Sequence, residues 1–374
     1  MSMKFSKTEY VTIAEKTEMP FYEFLQYINH NYTQYREQEI YDFYLKTKAR
    51  RMGQPLFLQC ELTADCNLDC KMCYSHIEKA KLKKQMLSTE QWLEILSQAV
   101  EAGISEVYLT GGEAMLHPGF WEIYEYLHFQ GVEVSVFTNG LCLTADAVER
   151  LKKLRPKEIQ ISVYGTNDLF YEAVTGHRVF KYVNEAINRV LEAQLPLKLA
   201  ITPSRQNYEN IDDIVRYAQD KACKYRINFV EIPVRKDTGR DNDNARLSDE
   251  QYCVLWKRFH EFKEAEKDGC TDEMCEKGIA CSAGQITCHI DHQGMMNGCV
   301  NFPIADACVL EEGFIASWQK VHKKSNEYRI PAECTGCEYY KNCFICAGEH
   351  CSETGESLYN KDKCQKMKLC FGSL

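Results

Sequence analysis

Cysteine is the residue type in this chain with the most capacity for chemistry, and it is unevenly distributed. The sequence has 20 cysteines in 374 residues, none before Cys60 and 13 of them from Cys270 onward. Disulfide-rich secreted domains are usually short and carry a secretory signal. The first 20 residues here lack an apolar segment, so we expect no such signal and a cytoplasmic protein. In a reducing compartment, this density of thiols indicates metal–thiolate sites.

The first group of cysteines is Cys66, Cys70 and Cys73, within LTADCNLDCKMCYSH. Spacings of three and two residues allow three thiolates of one loop to face a single cube of iron and sulfide. A [4Fe–4S] cluster usually has four cysteine ligands, so three leave one iron open to another ligand. The alternative from spacing alone is a structural zinc ion with His76 as the fourth ligand.

The elements that must position these cysteines follow from the hydrophobic pattern. From about residue 56, short apolar segments alternate with amphipathic ones, which predicts a largely parallel sheet. The predicted strands are Leu56–Leu62, Glu106–Leu109, Glu133–Phe137, Glu158–Val163, Leu197–Ile201 and Ile227–Ile232. The predicted helices are 88–102, capped by Ser88 with Gln91, then 119–129, 144–153, 182–193, 209–219 and 250–266. Six such units are too few for a closed eight-stranded barrel and predict an open, partial one.

Polar or glycine-rich segments follow three of these strands. They are LTGGEAMLHPGF after the second, FTNG (Phe137–Gly140) after the third and ISVYG (Ile161–Gly165) at the end of the fourth. Glycine permits sharp turns and close backbone approach. The carboxyl ends of parallel strands are where α/β proteins collect their sites.

CNLDCKMC and these three strand ends together resemble the signature of the radical S-adenosylmethionine (SAM) superfamily. The resemblance implies a partial (β/α)6 barrel in which Cys66, Cys70 and Cys73 hold a [4Fe–4S] cluster that cleaves SAM to a 5′-deoxyadenosyl radical. It also implies contacts to SAM from Gly111, Gly112 and Glu113 at the methionine amino group, Ser162 at the ribose or carboxylate, the backbone of Met72 at the adenine, and Asn139 of FTNG. No catalytic base is assigned.

The C-terminal cysteines resemble the SPASM extension, which is found on radical enzymes that modify peptides and proteins. That resemblance implies two auxiliary [4Fe–4S] clusters with interleaved ligands. The first would use Cys281, Cys288, Cys299 and Cys346, and the second Cys334, Cys337, Cys343 and Cys364.

This segment departs from the family pattern at several positions. Two residues rather than three separate Cys343 from Cys346, and Cys351 could replace Cys346 or Cys364 as a ligand. Some family members leave the position of Cys288 open. A zinc ribbon on the cysteines from 334 to 346 is the alternative to clusters.

The expected domains are an N-terminal helical extension (1–55), the radical SAM core (56–235), a linker with a bridging helix (236–280) and the SPASM-like domain (281–374). Gly239 and Arg240 stand where the family often has a pair near SAM. Further candidates to face substrate are Tyr164, Arg205, His117 and His177.

A net charge of −9 and the absence of a basic cluster argue against a nucleic-acid partner. No apolar segment approaches a membrane span. The interpretation favoured by the resemblance is a maturase that acts on a ribosomally made peptide, forming a thioether or crosslink or inverting a residue. Electrons would come from a flavodoxin or ferredoxin. The alternatives are an anaerobic sulfatase-maturing enzyme, a small-molecule radical dehydrogenase, and a zinc or iron–sulfur binding protein without enzymatic activity.

Overall fold

The fold is known from a computed structural model of the chain. It describes residues 7–75, 86–229, 231, 234, 242–259, 281–302, 306–339, 343, 346–354 and 359–371. Within these ranges no helix combines the length and apolar character needed to cross a membrane.

An eight-stranded sheet forms the centre of the molecule. Its strands are β1 (Phe57–Glu61), β2 (Glu106–Thr110), β3 (Glu133–Thr138), β4 (Glu158–Val163), β5 (Leu197–Ile201), β6 (Lys224–Ile227), β7 (Thr287–Ile290) and β8 (Met296–Asn297). Their order is β6-β5-β4-β3-β2-β1-β7-β8, and all neighbours are parallel except β7 and β8. The first six strands are joined through helices, which gives the open, partial (β/α)6 barrel that the sequence predicts.

The two faces of the sheet differ in chemistry because side chains alternate along each strand. On β4, Ile159, Ile161 and Val163 are completely buried against the helical layer, while Gln160 and Ser162 on the other face are half-buried. The outer face therefore supplies the hydrophobic core, and the inner face gives the barrel a polar lumen.

Helices cover the outer face of the barrel. They are α4 (Thr89–Glu101), α5 (Phe120–Phe129), α6 (Ala145–Lys153), α7 (Asp168–Thr175), α8 (Phe180–Glu192), α9 (Ile211–Asp220) and α10 (Asp249–Phe259). The predicted cap of α4 is present: Ser88 Oγ accepts from the Gln91 amide, and the Gln91 side chain accepts from the Ser88 amide. Of the predicted helix 250–266, residues 260–266 lie outside the described residues.

The N-terminal extension consists of three helices with a small core of its own. They are α1 (Lys7–Lys16), α2 (Phe21–Asn31) and α3 (Glu37–Met52). Ile13, Phe24, Ile28, Ile40 and Tyr44 pack together between them. The cluster is separate from the barrel core, so these helices form a satellite layer.

The C-terminal third contributes four further helices. They are α11 (Val309–Glu312), α12 (Phe314–Ser325), α13 (Ala347–Thr354) and α14 (Lys361–Phe371). Trp318 of α12 donates its indole N–H to the carbonyl of Gly53 at 2.7 Å, which fastens this region to the end of α3.

Two strand predictions need correction. The described sixth strand is Lys224–Ile227, which begins before the predicted Ile227–Ile232 and pairs Ile227 with Ile201 at the end of β5; residues 230 and 232 of the prediction lie outside the described residues. Strands β7 and β8 were not predicted at all. They come from the cysteine-rich segment, and β7 extends the barrel sheet beside β1.

Candidate radical site

The cysteine loop begins where β1 ends and is fixed by backbone hydrogen bonds. The amides of Asp69 and Lys71 donate to the carbonyls of Thr175 and Val174 at 3.0 and 2.9 Å, so the loop lies against the C-terminal end of α7. The amide of Cys73 donates to the carbonyl of Cys70 at 3.1 Å. Backbone hydrogen bonds therefore anchor the loop to α7.

The three predicted thiols are brought together in this loop. Burial is the main cause that raises the pKa of Cys66 to about 12, and Cys73 adds to it. Burial also raises the pKa of Cys70, as do Cys73 and Cys66, while a hydrogen bond from the Tyr164 hydroxyl lowers it. Three neighbouring thiols are a donor set that would bind a cationic iron centre as thiolates. The donor set thus fits a cluster with one open iron.

The glycine pair after β2 is packed against the segment that leads into this loop. The amide of Gly112 donates to the carbonyl of Thr63 at 2.7 Å, and Glu113 donates to Asp65 at 2.8 Å. A Cβ atom on Gly111 or Gly112 would lie 2.4 Å from the Thr63 oxygen or 2.3 Å from the Asp65 oxygen. Both positions therefore require glycine, because a side chain would push the cysteine loop away.

Glu113 is completely buried, and its carboxylate joins β2 to β3. It accepts hydrogen bonds from the Thr138 hydroxyl at 2.8 and 2.9 Å, from the Asn139 amide at 2.8 Å and from the Met115 amide at 3.3 Å. Burial raises the pKa of Glu113, and these hydrogen bonds oppose the rise. The structure therefore gives Glu113 a bracing role, and its contact with the methionine amino group stays a prediction.

Three other predicted SAM contacts lie around the same loop. Asn139 donates to Asn67 Oδ1 at 2.7 Å and has Cys66 Sγ at 3.8 Å. The carbonyl of Met72 accepts from the side chain of Asn242 at 3.3 Å. Ser162 lies on the lumen side of β4 and hydrogen-bonds the Tyr164 hydroxyl, whose pKa is raised by burial and by Cys70.

A cavity of about 300 Å³ opens beside the loop. Its walls are Lys71, Cys73, Gln206, Val234, Asn242, Asn244 and Ala245. Side-chain amides can donate and accept, which suits a ligand that carries both kinds of group.

A family model described as the Radical SAM superfamily matches residues 60–218, the span from β1 to α9 that builds this site. This part of the chain belongs to the radical SAM superfamily.

Two relatives are similar to this chain over most of its length. The AdoMet-dependent heme synthase of Methanosarcina barkeri is 24% identical over 341 residues, 83% of this chain and 96% of the relative. The mycofactocin maturase MftC of Mycolicibacterium smegmatis is 24% identical over 326 residues, 79% of this chain and 78% of the relative.

A solved structure shares the fold. Streptococcus suis SuiB bound to precursor peptide SuiA is 17% identical, with a TM-score of 0.61 over 88% of this chain and 80% of SuiB. This radical SAM enzyme therefore has the fold of the SPASM-type maturases.

The C-terminal cysteines form two groups in the described part of the enzyme. Burial raises the pKa of Cys299, and Cys281 and Cys346 add to the rise. Burial likewise raises the pKa of Cys334, with contributions from Cys364 and Cys337. Cys346 thus lies with the first group and Cys364 with the second, which is the grouping that interleaved ligation requires.

One predicted ligand, Cys288, lies in the hydrophobic core. Cys288 lies on β7 in register with Leu58, is completely buried on the outer face, and has its thiol 3.8 Å from the carbonyl of Phe57. It also acts on the pKa of Cys60 rather than joining Cys281. Its strand directs it into the hydrophobic core, and its assignment to the first auxiliary set stays a prediction. The amide of Cys343, a predicted ligand of the second set, donates to the carbonyl of Tyr339 at 2.8 Å.

A buried polar cluster in the sheet was missed by sequence reasoning. Glu61 ends β1, and its carboxylate lies 3.3 Å from His289 Nε2 and 3.4 Å from His292 Nδ1. All three side chains are at most 3% exposed. The histidines are some 230 residues away in sequence, and no spacing motif links them to Glu61.

The remaining candidates differ in burial. His117 is buried, with Nε2 3.2 Å from the Leu87 carbonyl and Nδ1 accepting from the Gly119 amide, so it braces a turn. Burial lowers its pKa. Arg205 and His177 are exposed. His76, Gly239 and Arg240 lie outside the described residues.

Proposed function

We propose that this radical SAM enzyme modifies a ribosomally synthesised peptide by forming a thioether or another crosslink or by inverting a residue. The observation that carries the proposal is the hairpin of β7 and β8, which has Cys281 before it and Cys299 after it and extends the barrel sheet directly beside β1, the strand that leads to Cys66. It joins the C-terminal cysteines to the radical core. The name of MftC as a maturase and the precursor peptide bound to SuiB support a peptide substrate.

In this proposal, Cys66, Cys70 and Cys73 hold the catalytic [4Fe–4S] cluster. Bound there with SAM, it would supply the 5′-deoxyadenosyl radical that abstracts hydrogen from the substrate. The backbone of Gly111 and Gly112 lies against the segment that leads into the cysteine loop. There it would contact the methionine end of SAM. Met72 and Ser162 would contact the adenosine end. Glu113 would hold the end of β3 next to the end of β2, and Asn139 would hold the cysteine loop next to the end of β3.

The C-terminal cysteines would hold two auxiliary clusters. We assign Cys281, Cys299 and Cys346 to the first, and Cys334, Cys337, Cys343 and Cys364 to the second. With Cys288 in the core, the first auxiliary cluster would have three protein thiolates and an open position. A flavodoxin or ferredoxin would supply electrons. The core would span 56–235 and the auxiliary domain 281–374, joined by 236–280 and preceded by the extension 1–55.

A second candidate is a radical reaction on a small molecule. The heme synthase matches almost its whole length to this chain, which favours a porphyrin-type substrate over a peptide. Sulfatase maturation is less favoured, because Val300 and Asn301 follow Cys299 where that group has an aspartate directly after the cysteine.

The two candidates separate in one experiment. The reconstituted enzyme is incubated anaerobically with SAM and dithionite, first with synthetic peptides from short reading frames beside its gene, then with an iron porphyrin precursor of heme. A peptide of altered mass, formed together with 5′-deoxyadenosine, supports maturation. Conversion of the porphyrin with unchanged peptides would replace the proposal by the second candidate. The same mixture with Cys66→Ala enzyme is the control, and it should form neither product.

A further inference from the structure

Two cysteines outside the proposed cluster sites meet at the contact between α10 and α14. Cys253 and Cys370 are 117 residues apart, and their Sγ atoms are 2.6 Å from each other. Unbonded carbon atoms pack at about 3.5–4.0 Å, and a disulfide joins its sulfurs at about 2.05 Å. The backbones of α10 and α14 therefore hold the two sulfurs closer than unbonded atoms pack, near enough to form a disulfide bond.

The helices around the pair are fastened to each other independently of the sulfurs. Lys366 of α14 reaches Glu231 at 2.9 Å and Asp249 at 3.3 Å, and its ammonium lies 4.9 Å from the centre of the Tyr252 ring. Cys370 is completely buried, and Cys253 is 9% exposed. Packing and charge thus hold the two thiols in place before any bond forms between them.

Cys370 and the predicted ligand Cys364 face different neighbours, although both belong to α14. Six residues along an α-helix turn a side chain by about 240° and move it by about 9 Å. Cys364 acts on the pKa of Cys334, whereas the cysteine beside Cys370 is Cys253. The Cys253–Cys370 pair is therefore separate from the second auxiliary group.

We propose that Cys253 and Cys370 form a redox-active pair, which closes to a disulfide under oxidising conditions and locks α14 onto α10. The oxidant is a small-molecule disulfide. A thiolate of the pair attacks it and releases one small thiol, and the second cysteine then displaces the other small thiol from the mixed disulfide. One S–S bond is formed and one is broken, and the two protons of the pair end on the released thiols.

The crosslink has a defined structural effect. It closes a long loop and so restricts the unfolded chain. It also anchors the C-terminal end of the helix that carries Cys364 in its first turn, so Cys364 stays near Cys334. Because both thiols are buried and the pKa of Cys370 is raised, closure is slow. The disulfide therefore forms during sustained oxidation and does not form during a brief exposure to oxidant.

The test is a disulfide map of the cluster-loaded enzyme. Anaerobic samples are incubated with dithiothreitol or with oxidised glutathione, denatured with an alkylating agent and digested with trypsin. Residues 247–257 and 369–374 are predicted tryptic peptides with a single cysteine each, Cys253 and Cys370. A crosslinked peptide pair is expected only after oxidation, together with a rise in the melting temperature on the order of 5 °C.

Variants separate the pair from a ligand role and from general oxidation. Cys253→Ser and Cys370→Ser should each abolish the rise in melting temperature while keeping the iron content of the wild type. Cys223→Ser, at a buried cysteine elsewhere, should retain the rise. Full alkylation of Cys253 and Cys370 in the oxidised wild type would overturn the proposal, and so would iron loss in either variant. The wild-type map decides the matter even if a variant does not fold.

Discussion

The side-chain amide of Asn139 donates a 2.7 Å hydrogen bond to Oδ1 of Asn67, and the same nitrogen lies 3.8 Å from the sulfur of Cys66. The end of β3 is thereby tied to the first turn of the cysteine loop. Sequence resemblance marks Asn139 as a SAM contact, and the geometry adds that it positions a cluster ligand.

Replacement of Asn139 by Ala should loosen the loop. Loss of one buried hydrogen bond costs about 1 kcal/mol, and Cys66 also loses a donor. We expect iron at the radical site to be released to a chelator several-fold faster than in the wild type. Asn188→Ala removes an amide that bonds Lys221 away from the site, and it is the matched control. Equal release rates in the two variants would contradict a positioning role.

Gly112→Ala should displace the cysteine loop by collision. The added Cβ would meet the Asp65 oxygen at 2.3 Å, and overpacking of this kind costs about 1–3 kcal/mol. After reconstitution, the variant should hold about four irons fewer than the wild type. Gly131→Ala is the control for collision, because nothing lies within 4 Å of its Cβ and the strain from its φ of 75° falls before β3, away from the cysteine loop. A Gly112→Ala enzyme with full iron would show that the close approach is not required.

Glu113 should make stability depend on pH. Burial raises its folded pKa above the ordinary value of 4.5, so the folded state binds the proton more tightly than the unfolded state. This stabilisation is fully present below pH 4.5 and is lost as the pH rises through the folded pKa. The free energy of unfolding of wild type minus that of Glu113→Gln should therefore increase as the pH falls from 7 toward 5, by at most about 1.4 kcal/mol per pH unit. A difference that stays constant over this range would be contrary to a raised pKa.

Glu61→Gln should strongly destabilise the sheet. The carboxylate lies within 3.4 Å of two buried imidazoles, and a buried polar group that loses its partner costs about 1–3 kcal/mol. The control is Glu158→Gln on the same sheet, whose ion pair with Lys198 is about 30% exposed and should cost less than about 1 kcal/mol. Urea unfolding measures both. Similar losses in the two variants would mean that the Glu61 cluster contributes no more than a partly exposed ion pair.

The local sequence pattern was enough to predict many strands and helices of the barrel. Ile159, Ile161 and Val163 alternate with polar residues, and that alternation sets the β4 bounds that the structure has. Ser88 and Gln91 mark the start of α4 through chemistry within one turn. Such elements are predictable because the interactions that define them are close in sequence.

The prediction errors arise where the strand that pairs with an element is distant in sequence. Strand β6 begins at Lys224, three residues before the predicted start, because its register is set by pairing with Lys198–Ile201 of β5. Strand β7 has only four residues and exists through pairing with β1, more than 200 residues earlier. The same pairing turns Cys288 into the core and brings His289 to Glu61, so cysteine spacing alone could reveal neither.

The most direct test of the account is production of 5′-deoxyadenosine. The reconstituted enzyme, given dithionite and SAM without oxygen, is compared with a variant in which Cys66, Cys70 and Cys73 are all Ala, and with Cys223→Ala. We predict 5′-deoxyadenosine from the wild type and from Cys223→Ala, none from the triple variant, and a loss of about four irons in the triple variant alone. Absence of 5′-deoxyadenosine from fully iron-loaded wild type, or its formation by the triple variant, would contradict the assignment of these three cysteines to the radical site.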